Sequence, residues 1–390
     1  MTADPVRFID LQAQYARIGD AVERRVLDVL RSGQYILGPE VTELESKLAQ
    51  FAGARHCVSC ASGTDALQIA LMAQGVGPGD AVFVPTFTFV ATAEVVSLVG
   101  ATPVFVDIDP LTFNLDPDAL AKAIEAVLSN NAASHVLPRN GMKLRARGII
   151  PVDLFGQPAD YARINAIAAK HGLFVIEDAA QSFGAAGAGI RAGKLAPVAC
   201  ASFFPAKPLG CAGDGGALFT DDDAQAELFR SVRVHGQGSD RYENVRLGLT
   251  GRLDSIQAAV LLAKLDIFIE ELAARDRIAA RYTRYIAARD LGLTTPTISA
   301  GMNSAWAQYS LLARDSKHRA ACQESLKSAG IPSMIYYPKP LHLQTVFAGL
   351  GYRSGDFPVA EDSAERIFSL PMHPYLDAPT QDRVVAALVR

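Results

Sequence analysis

Lys207 lies in a short apolar turn, bounded by proline and glycine, with the sequence SFFPAKPLG over residues 202–210. Lysine is almost never fully buried unless its charge is paired. Burial lowers the pKa of an amine, and the neutral amine can attack a carbonyl carbon and form a Schiff base. A single lysine is also a common surface residue, so this turn alone leaves imine chemistry and a solvated side chain open.

Two other segments carry residues that could act together with this lysine. Asp178 ends the apolar stretch FVIED, which predicts a carboxylate at the edge of a sheet where open α/β folds bind ligands. Gly63 and Thr64 begin a predicted helix in SGTDAL, where free N–H groups and the helix dipole favour a phosphate. Taken singly, the first is more often a strand-end residue and the second an ordinary helix start.

Together these segments contain the groups that pyridoxal 5′-phosphate requires. The lysine holds the aldehyde, a carboxylate keeps the pyridine nitrogen protonated, and a phosphate site anchors the other end. The carboxylate of Asp178 precedes Lys207 by 29 residues (207 − 178). Phe89, in the segment PTFTFVAT, offers an aromatic face for stacking on the ring, with Phe87 as the competing candidate.

The elements that would position these residues alternate between strand and helix from about residue 55 to residue 220. Such alternation predicts βαβ units and a largely parallel sheet that is covered on both faces. The predicted strands are Ala81–Pro85, Thr102–Asp107, Gly148–Leu154, Leu173–Glu177, Cys200–Phe204 and Gly216–Thr220. The predicted helices are Asp65–Gln74, Thr92–Val99, Asp116–Leu128 and Ala159–His171.

A second region begins near Arg252, with a segment free of proline and glycine that extends to Arg289. Its helical pattern predicts a helix, bent or broken, that links two domains. The remaining predicted elements are the strands Tyr309–Leu312 and Met334–Tyr337 and the helix Lys317–Ala329. We therefore predict an α/β fold with a large cofactor-binding domain over residues 1–251 and a smaller α+β domain over residues 252–390.

The composition excludes several classes of partner. The 390 residues include 37 Lys and Arg against 41 Asp and Glu, a formal net charge of −4, whereas nucleic-acid binding favours a basic excess. No stretch provides the roughly 20 apolar residues that span a bilayer, and the N-terminus lacks a signal-peptide pattern. The seven histidines show no metal-ligand spacing. We expect a cytoplasmic protein with no metal, nucleic-acid or membrane partner.

The five cysteines are an odd number, which favours reduced thiols. Cys57 and Cys60 form a C-x-x-C pair that could serve redox chemistry or half of a zinc site. A second pair of ligands is missing, and free cysteine packs as a small hydrophobic residue. We therefore predict that this pair lies in a buried strand.

The chain also resembles a known family along nearly its whole length. The motifs SGTDAL, PTFTFVAT, IEDAAQSFGA, SFFPAKPLG, GDGGALFT and RLDSIQAAV are similar, in this order, to those of the fold-type I sugar aminotransferases of the DegT/DnrJ/EryC1/StrS family. The resemblance implies a pyridoxal 5′-phosphate enzyme with Lys207 as the Schiff-base lysine and Asp178 at the pyridine nitrogen. It implies further cofactor contacts from Gln181 (ring hydroxyl), Ser202, Gly63 and Thr64 (phosphate) and Phe89 (stacking).

Two positions in these motifs bear on the reaction and the assembly. A few relatives have histidine in place of Lys207 and dehydrate sugars, so the lysine favours transamination. The family is dimeric, and the neighbouring chain completes each site through a G-x-N-x-R motif whose Asn reaches the phosphate. This chain reads GLTGR over residues 248–252, so Thr250 replaces that Asn. Threonine can still donate one hydrogen bond, and Thr250 is our candidate for this contact.

The resemblance also implies the substrate class. The segment YYPKPLHLQ over residues 336–344 is similar to members that aminate C3 of UDP-2-acetamido-2-deoxy-3-oxo sugars, with glutamate as expected donor, for lipopolysaccharide or lipid A. The hexuronate and UDP-3-oxo-N-acetylglucosamine both remain open, as do amination at C4 of a 4-ketosugar and a regulatory protein that binds the cofactor without turnover. The candidate substrate-binding residues are Arg252, Tyr336, Tyr337 and His342, with Lys339 as an alternative to Arg252 for a substrate carboxylate.

Overall fold

The computed structural model describes residues 5–139, 141–240 and 242–390. The helices are α1 (Leu11–Ser32), α2 (Pro39–Ala52), α3 (Gly63–Ala73), α4 (Ala91–Leu98), α5 (Pro117–Ser129), α6 (Tyr161–His171), α7 (Asp223–Val232), α8 (Ser255–Leu265), α9 (Phe268–Ala287), α10 (Ser316–Ser328), α11 (Pro358–Arg366) and α12 (Ala378–Ala386). The strands are β1 (His56–Cys60), β2 (Asp80–Pro85), β3 (Thr102–Val106), β4 (Arg145–Ile149), β5 (Phe174–Asp178), β6 (Ala186–Gly187), β7 (Ile190–Arg191), β8 (Val198–Ser202), β9 (Gly216–Thr220), β10 (Met302–Asn303), β11 (Tyr309–Leu312) and β12 (Ile367–Leu370). Among these described helices, none is both long and apolar enough to cross a bilayer.

The largest sheet contains the predicted strands in the order β1-β9-β8-β5-β4-β2-β3. The strands from β8 to β3 are parallel, and β9 runs antiparallel to both β1 and β8. These strands are buried on both faces because helices cover both sides of such a sheet, and this explains why their sequences are almost continuously apolar. The prediction of a largely parallel α/β sheet is confirmed, although β4 lies a few residues earlier than the predicted Gly148–Leu154.

The carboxyl ends of the parallel strands lie at one edge of this sheet. Asp178 is the last residue of β5 and Ser202 the last residue of β8. Gly216, which starts the antiparallel β9, pairs with both Ser202 and Cys60 and therefore lies at the same edge. The topology thus brings the ends of β1, β5 and β8 together, as ligand sites of open α/β folds require.

The linking segment forms two helices, α8 and α9, separated at Asp266 and Ile267. The apolar residues of α8, including Leu261 and Leu262, pack with Phe203 and Phe219 of the large sheet region. A separate core lies farther along the chain and combines the later part of α9 with the sheet β11-β12, α10 and α12. The structure therefore places α8 in the large core, whereas the sequence assigned it to the second domain.

Two local expectations had different outcomes. Cys57 and Cys60 are buried, free thiols within β1, so the prediction of a structural pair is confirmed. The predicted strand Met334–Tyr337 is wrong, since only Met334 forms a bridge, with Ser369.

Replacement of Leu261 by Ala tests whether α8 belongs to the large core. The side chain is fully buried, so we expect unfolding to become easier by about 2–5 kcal/mol. Urea unfolding of the cofactor-free protein measures this change. The control Leu98→Ala alters a side chain that is 61% exposed and should cost at most about 0.5 kcal/mol. Equal unfolding midpoints for the two variants would contradict the assignment.

Candidate active site

A cavity of about 450 Å³ opens at the sheet edge and collects the predicted cofactor residues. Its lining combines the start of α3, the end of β5, the turn after β8 and the segment before α4. The lining residues that the sequence predicted are Gly63, Thr64, Phe89, Asp178, Gln181, Ser202, Lys207, Tyr336 and Tyr337. Residues separated by up to 274 positions (337 − 63) therefore share one site.

Lys207 and Asp178 face this cavity and influence each other's charge. Burial lowers the pKa of Lys207, while the negative charge of Asp178 opposes that change. Lys207 is accessible only in part, from the cavity that it lines. The backbone N–H of Lys207 donates to the carbonyl of Phe204 at 2.8 Å, which fixes the turn that carries the amine. Burial in this site therefore makes the neutral, nucleophilic form of the amine easier to reach than it is in water.

Asp178 is held by hydrogen bonds that orient its carboxylate. Thr92 donates its hydroxyl to Oδ2 at 2.9 Å, and the N–H of Ala180 donates to Oδ1 at 3.2 Å. Burial raises the pKa of Asp178, whereas these donors and Lys207 lower it. A protonated ring nitrogen bound in the cavity would lower the pKa of Asp178 further and stabilise its ionised carboxylate.

The start of α3 forms a close-fitting cradle beside β8. Ser62 caps the helix by accepting from the N–H of Asp65 at 3.0 Å, and the N–H groups of a helix's first turn have no partner within the helix. A Cβ on Gly63 would lie 2.7 Å from the Cβ of Ser202, so only glycine fits there without a shift. A helix N-terminus, a threonine and a serine around this gap are the donors that a phosphate requires.

The opposite wall of the cavity is a hydrogen-bonded and aromatic surface. Gln181 accepts from the N–H of Phe155 at 2.7 Å and donates from Nε2 to the hydroxyl of Tyr337 at 3.3 Å. The ring of Tyr337 lies 6.3 Å from that of Phe89, which is 54% exposed and turned to the cavity. Phe87, the competing candidate, is buried in the core. Phe89 is therefore the residue with a free face for stacking.

Asp153 supports this arrangement from beneath and was not found from the sequence. Its carboxylate accepts from Ser182 at 2.6 Å and from Tyr161 at 2.9 Å, and burial raises its pKa. Its backbone N–H donates to the carbonyl of Asp178 at 3.1 Å. The sequence offered one signal, a carboxylate directly after an apolar run, but gave no means to connect it with Ser182.

Three predicted residues lie outside the cavity lining. His342 is buried, with Nδ1 2.7 Å from Thr86 Oγ1 and Nε2 3.1 Å from Glu361. Both ring nitrogens are therefore engaged within the chain, and the contact of His342 with the sugar stays a prediction. Thr250 and Arg252 are also absent from the lining, and Thr250 Oγ1 lies 2.8 Å from Nε2 of His235.

The chain matches the model of the DegT/DnrJ/EryC1/StrS aminotransferase family over residues 16–389. It belongs to this family. A relative from Pseudomonas aeruginosa, UDP-2-acetamido-2-deoxy-3-oxo-D-glucuronate aminotransferase, is 51% identical over 98% of this chain and 99% of its own. A relative from Acidithiobacillus ferrooxidans, UDP-N-acetyl-3-dehydro-alpha-D-glucosamine 3-aminotransferase, is 40% identical over 100% of this chain and 98% of its own.

Solved structures of the family agree with the fold and the cofactor. A family aminotransferase from Brucella abortus superimposes with a TM-score of 0.92 at 50% identity, covering 98% of both chains. The PLP form of a sugar aminotransferase from Streptococcus pneumoniae gives a TM-score of 0.85 at 28% identity, covering 95% of both chains. Fold type I, pyridoxal 5′-phosphate as cofactor and aminotransferase activity therefore hold for this family member.

The cavity fits this cofactor in its polarity and shape. The cofactor, when bound, supplies an aldehyde for the amine and an electron-accepting ring. The gap at Gly63 and the adjacent Ser202 suit its phosphate, and the buried carboxylate of Asp178 suits a protonated ring nitrogen. Gln181 places an amide in the cavity lining, and Phe89 offers a face for stacking. We propose these contacts for the residues of the site.

Replacement of Gly63 by Ala tests the cradle. The new Cβ requires the start of α3 or Ser202 to move, so we expect the Kd for pyridoxal 5′-phosphate to rise by about tenfold or more, equivalent to ~1.4 kcal/mol. Titration of the cofactor-free protein, followed by absorbance, measures this. Gly349→Ala is the control, because a Cβ there has no neighbour within 4 Å. An unchanged Kd for Gly63→Ala would place the phosphate elsewhere.

Proposed function

We propose that this protein transfers an amino group from glutamate to C3 of a UDP-linked 2-acetamido-2-deoxy-3-oxo sugar. The hexuronate is the favoured substrate, because the relative named for it is 51% identical over almost the full length of both chains. The second candidate is UDP-3-oxo-N-acetylglucosamine, supported by the relative at 40% identity. Lys207 in the cavity supports transamination over dehydration.

The residues of the site have distinct tasks in this reaction. With the cofactor bound, the Lys207 amine would move a proton from Cα of the amino donor to the cofactor's aldehyde carbon, and in the sugar half of the reaction from that carbon to C3 of the sugar. Burial lowers the pKa of Lys207, which increases the share of neutral amine that can accept a proton. Thr92 and Ala180 hold the carboxylate of Asp178 in place. Gln181 and Tyr337 orient the polar edge of the site through their shared hydrogen bond.

The cavity of one chain lacks the cations that these substrates require. Of the described residues that line it, Lys207 is the sole Lys or Arg, whereas a nucleotide diphosphate sugar and glutamate are both anionic. Lys339 is exposed and lies outside the lining. We therefore propose that Arg252 reaches the substrate, and Thr250 the phosphate, of a second copy in a homodimer.

The surface supports a homodimer with shared active sites. Helix α1 exposes Leu11, Tyr15, Leu27 and Leu30, and Tyr35, Ile36 and Leu37 follow it. Leu247, beside the GLTGR segment, is 87% exposed. Exposed apolar side chains grouped in this way mark protein contact surfaces. A copy seated on them would bury this surface and bring the GLTGR segment to its neighbour.

We also propose a place for the reaction. Nucleotide sugars and five free thiols suit a reducing cytoplasm, and a 3-amino sugar suits incorporation into lipopolysaccharide, O-antigen or lipid A. A change in the product's cellular location would not alter the chemistry proposed for the site.

Incubation with ¹⁵N-glutamate and a panel of UDP- and dTDP-ketosugars tests the substrate. We expect ¹⁵N in the UDP-3-oxo sugars, with the uronate favoured over the N-acetylglucosamine derivative, measured by mass spectrometry. NMR of the product locates the nitrogen at C3. Nitrogen at C4 would instead assign a 4-ketosugar, and no transfer to any sugar, with glutamate leaving the cofactor unchanged, would favour a regulatory protein.

Lys207→Ala tests the central residue. Without the amine, the protein should lose the visible absorbance of the lysine-bound cofactor and at least about 10³-fold in kcat, since nucleophile and general base are removed together. Absorbance and steady-state rates measure both effects. Lys327→Ala is the control, because Lys327 is exposed on α10 and lies outside the cavity lining. A retained spectrum would place the covalent contact at another residue.

Mixed dimers test the shared site. We expect Lys207→Ala and Arg252→Ala to be inactive separately but to complement each other when co-expressed. Random assortment gives half heterodimers, each with one intact site of two, so about one quarter of wild-type activity should return. Differently tagged chains allow the heterodimer to be isolated and assayed. A heterodimer without activity would show that Arg252 does not act across the interface.

A further inference from the structure

Two residues that line the cavity each have a buried side-chain oxygen without a hydrogen-bond partner among the described residues. The two atoms are Oε1 of Gln308 and Oγ1 of Thr88. An unsatisfied buried polar atom is costly and rare, so it calls for a ligand group. Thr88 adjoins Phe89, where the cofactor is expected to stack, so the cofactor can account for its hydroxyl. Gln308 is the second such residue, and the chemistry of its oxygen decides which ligand it fits.

Gln308 is positioned by the backbone that supports the Gln181 wall. Its N–H donates to the carbonyl of Phe155 at 3.4 Å, and the N–H of Phe155 donates to Gln181 at 2.7 Å. Two residues earlier, the carbonyl of Trp306 accepts from the buried Arg275 at 3.0 Å. The carboxamide thus stands on an anchored segment immediately before β11, a rigid setting for a residue that selects a ligand.

The chemistry of the unpaired atom selects among the substrates. A carboxamide oxygen accepts a hydrogen bond, so its partner must carry an O–H or N–H group. The two carboxylates of glutamate are acceptors and would be repelled, and its ammonium group is consumed in the reaction. The ketosugar carries hydroxyl groups and an acetamido N–H. The sugar therefore matches the atom, whereas the amino donor does not.

We propose that Gln308 is a specificity-determining residue whose carboxamide oxygen accepts a hydrogen bond from the pyranose of the ketosugar. The inference rests on the proposed function and deepens it by naming a residue that contacts the sugar and leaves glutamate alone. A site that hydrogen-bonds a substrate donor discriminates strongly against a ligand without it, because its own acceptor is then left unpaired.

The test compares Gln308→Leu with the wild type in the two half-reactions, monitored separately by cofactor absorbance. One uses glutamate and the other UDP-2-acetamido-3-amino-2,3-dideoxyglucuronate, the amino sugar run in reverse. We expect the glutamate half-reaction to stay within about twofold and the Kd for the amino sugar to rise about tenfold, the value of one neutral hydrogen bond. Gln308→Asn, which keeps a neutral carboxamide oxygen, should recover part of this loss.

Further arms identify the donor and control for folding. With UDP-3-amino-2,3-dideoxyglucose, which has no acetamido group, the penalty should vanish if the N–H is the partner and persist if a ring hydroxyl is. Gln323→Leu is the matched control, since Gln323 bonds Ser333 outside the cavity, and it should change neither half-reaction. Thermal melting verifies that the variants are folded.

The outcomes separate this inference from the proposed function. Equal loss in both half-reactions, or no loss in either, overturns the role of Gln308 while the transamination itself stands. Wild-type protein that is not converted by glutamate or by any amino sugar overturns the proposed function instead.

Discussion

The removal of one amine and one carboxylate from bulk water is the constraint on which the site depends. Lys207 and Asp178 face the same cavity without forming a direct ion pair, so both lose solvation and only Asp178 regains part of it, through Thr92 and Ala180. Such a pair costs stability in a protein that has no use for it. It becomes favourable when a ligand offers an aldehyde to the amine and a cationic ring to the carboxylate. The stability of the site is thereby coupled to its cofactor.

The central sheet holds the Asp178 carboxylate and the Lys207 turn at fixed positions. Asp178 ends β5 and the Lys207 turn follows β8, and the two strands are adjacent and parallel. Behind them, Asp153 binds Ser182, Tyr161 and the backbone, so the layer beneath the cavity is itself hydrogen-bonded. A rigid second layer of this kind keeps catalytic groups in register. The reactive side chains therefore lie at strand ends and on the turns that follow, and the sheet fixes their relative positions.

The region after α8 completes the cavity with a different kind of group. It contributes Tyr336, Tyr337 and Gln308, aromatic and amide side chains in place of charges. Neutral donors and acceptors recognise hydroxyl and amide groups, whereas the diphosphate and carboxylates of the substrates bind more strongly where cations are present. The two requirements are met separately in our proposals, the first within one chain and the second by Arg252 across an interface. This division explains why one chain alone presents a polar but cation-poor cavity.

The sequence by itself predicted pyridoxal 5′-phosphate as the cofactor. Few other chemistries need a lysine, a carboxylate and a phosphate-binding helix start in the order that Lys207, Asp178 and the SGTD segment provide. It also gave most strands, since apolar runs between helical patterns have few other uses. It could not show how His342 and α8 pack, nor that Gln308 and Asp153 lie at the site. These depend on which side chains meet after folding: a histidine near a motif can turn inward to Thr86 and Glu361, and an apolar helix can pack on either of two cores. Only the tertiary structure decided such matters, because burial and hydrogen-bond partners are properties of the packed chain.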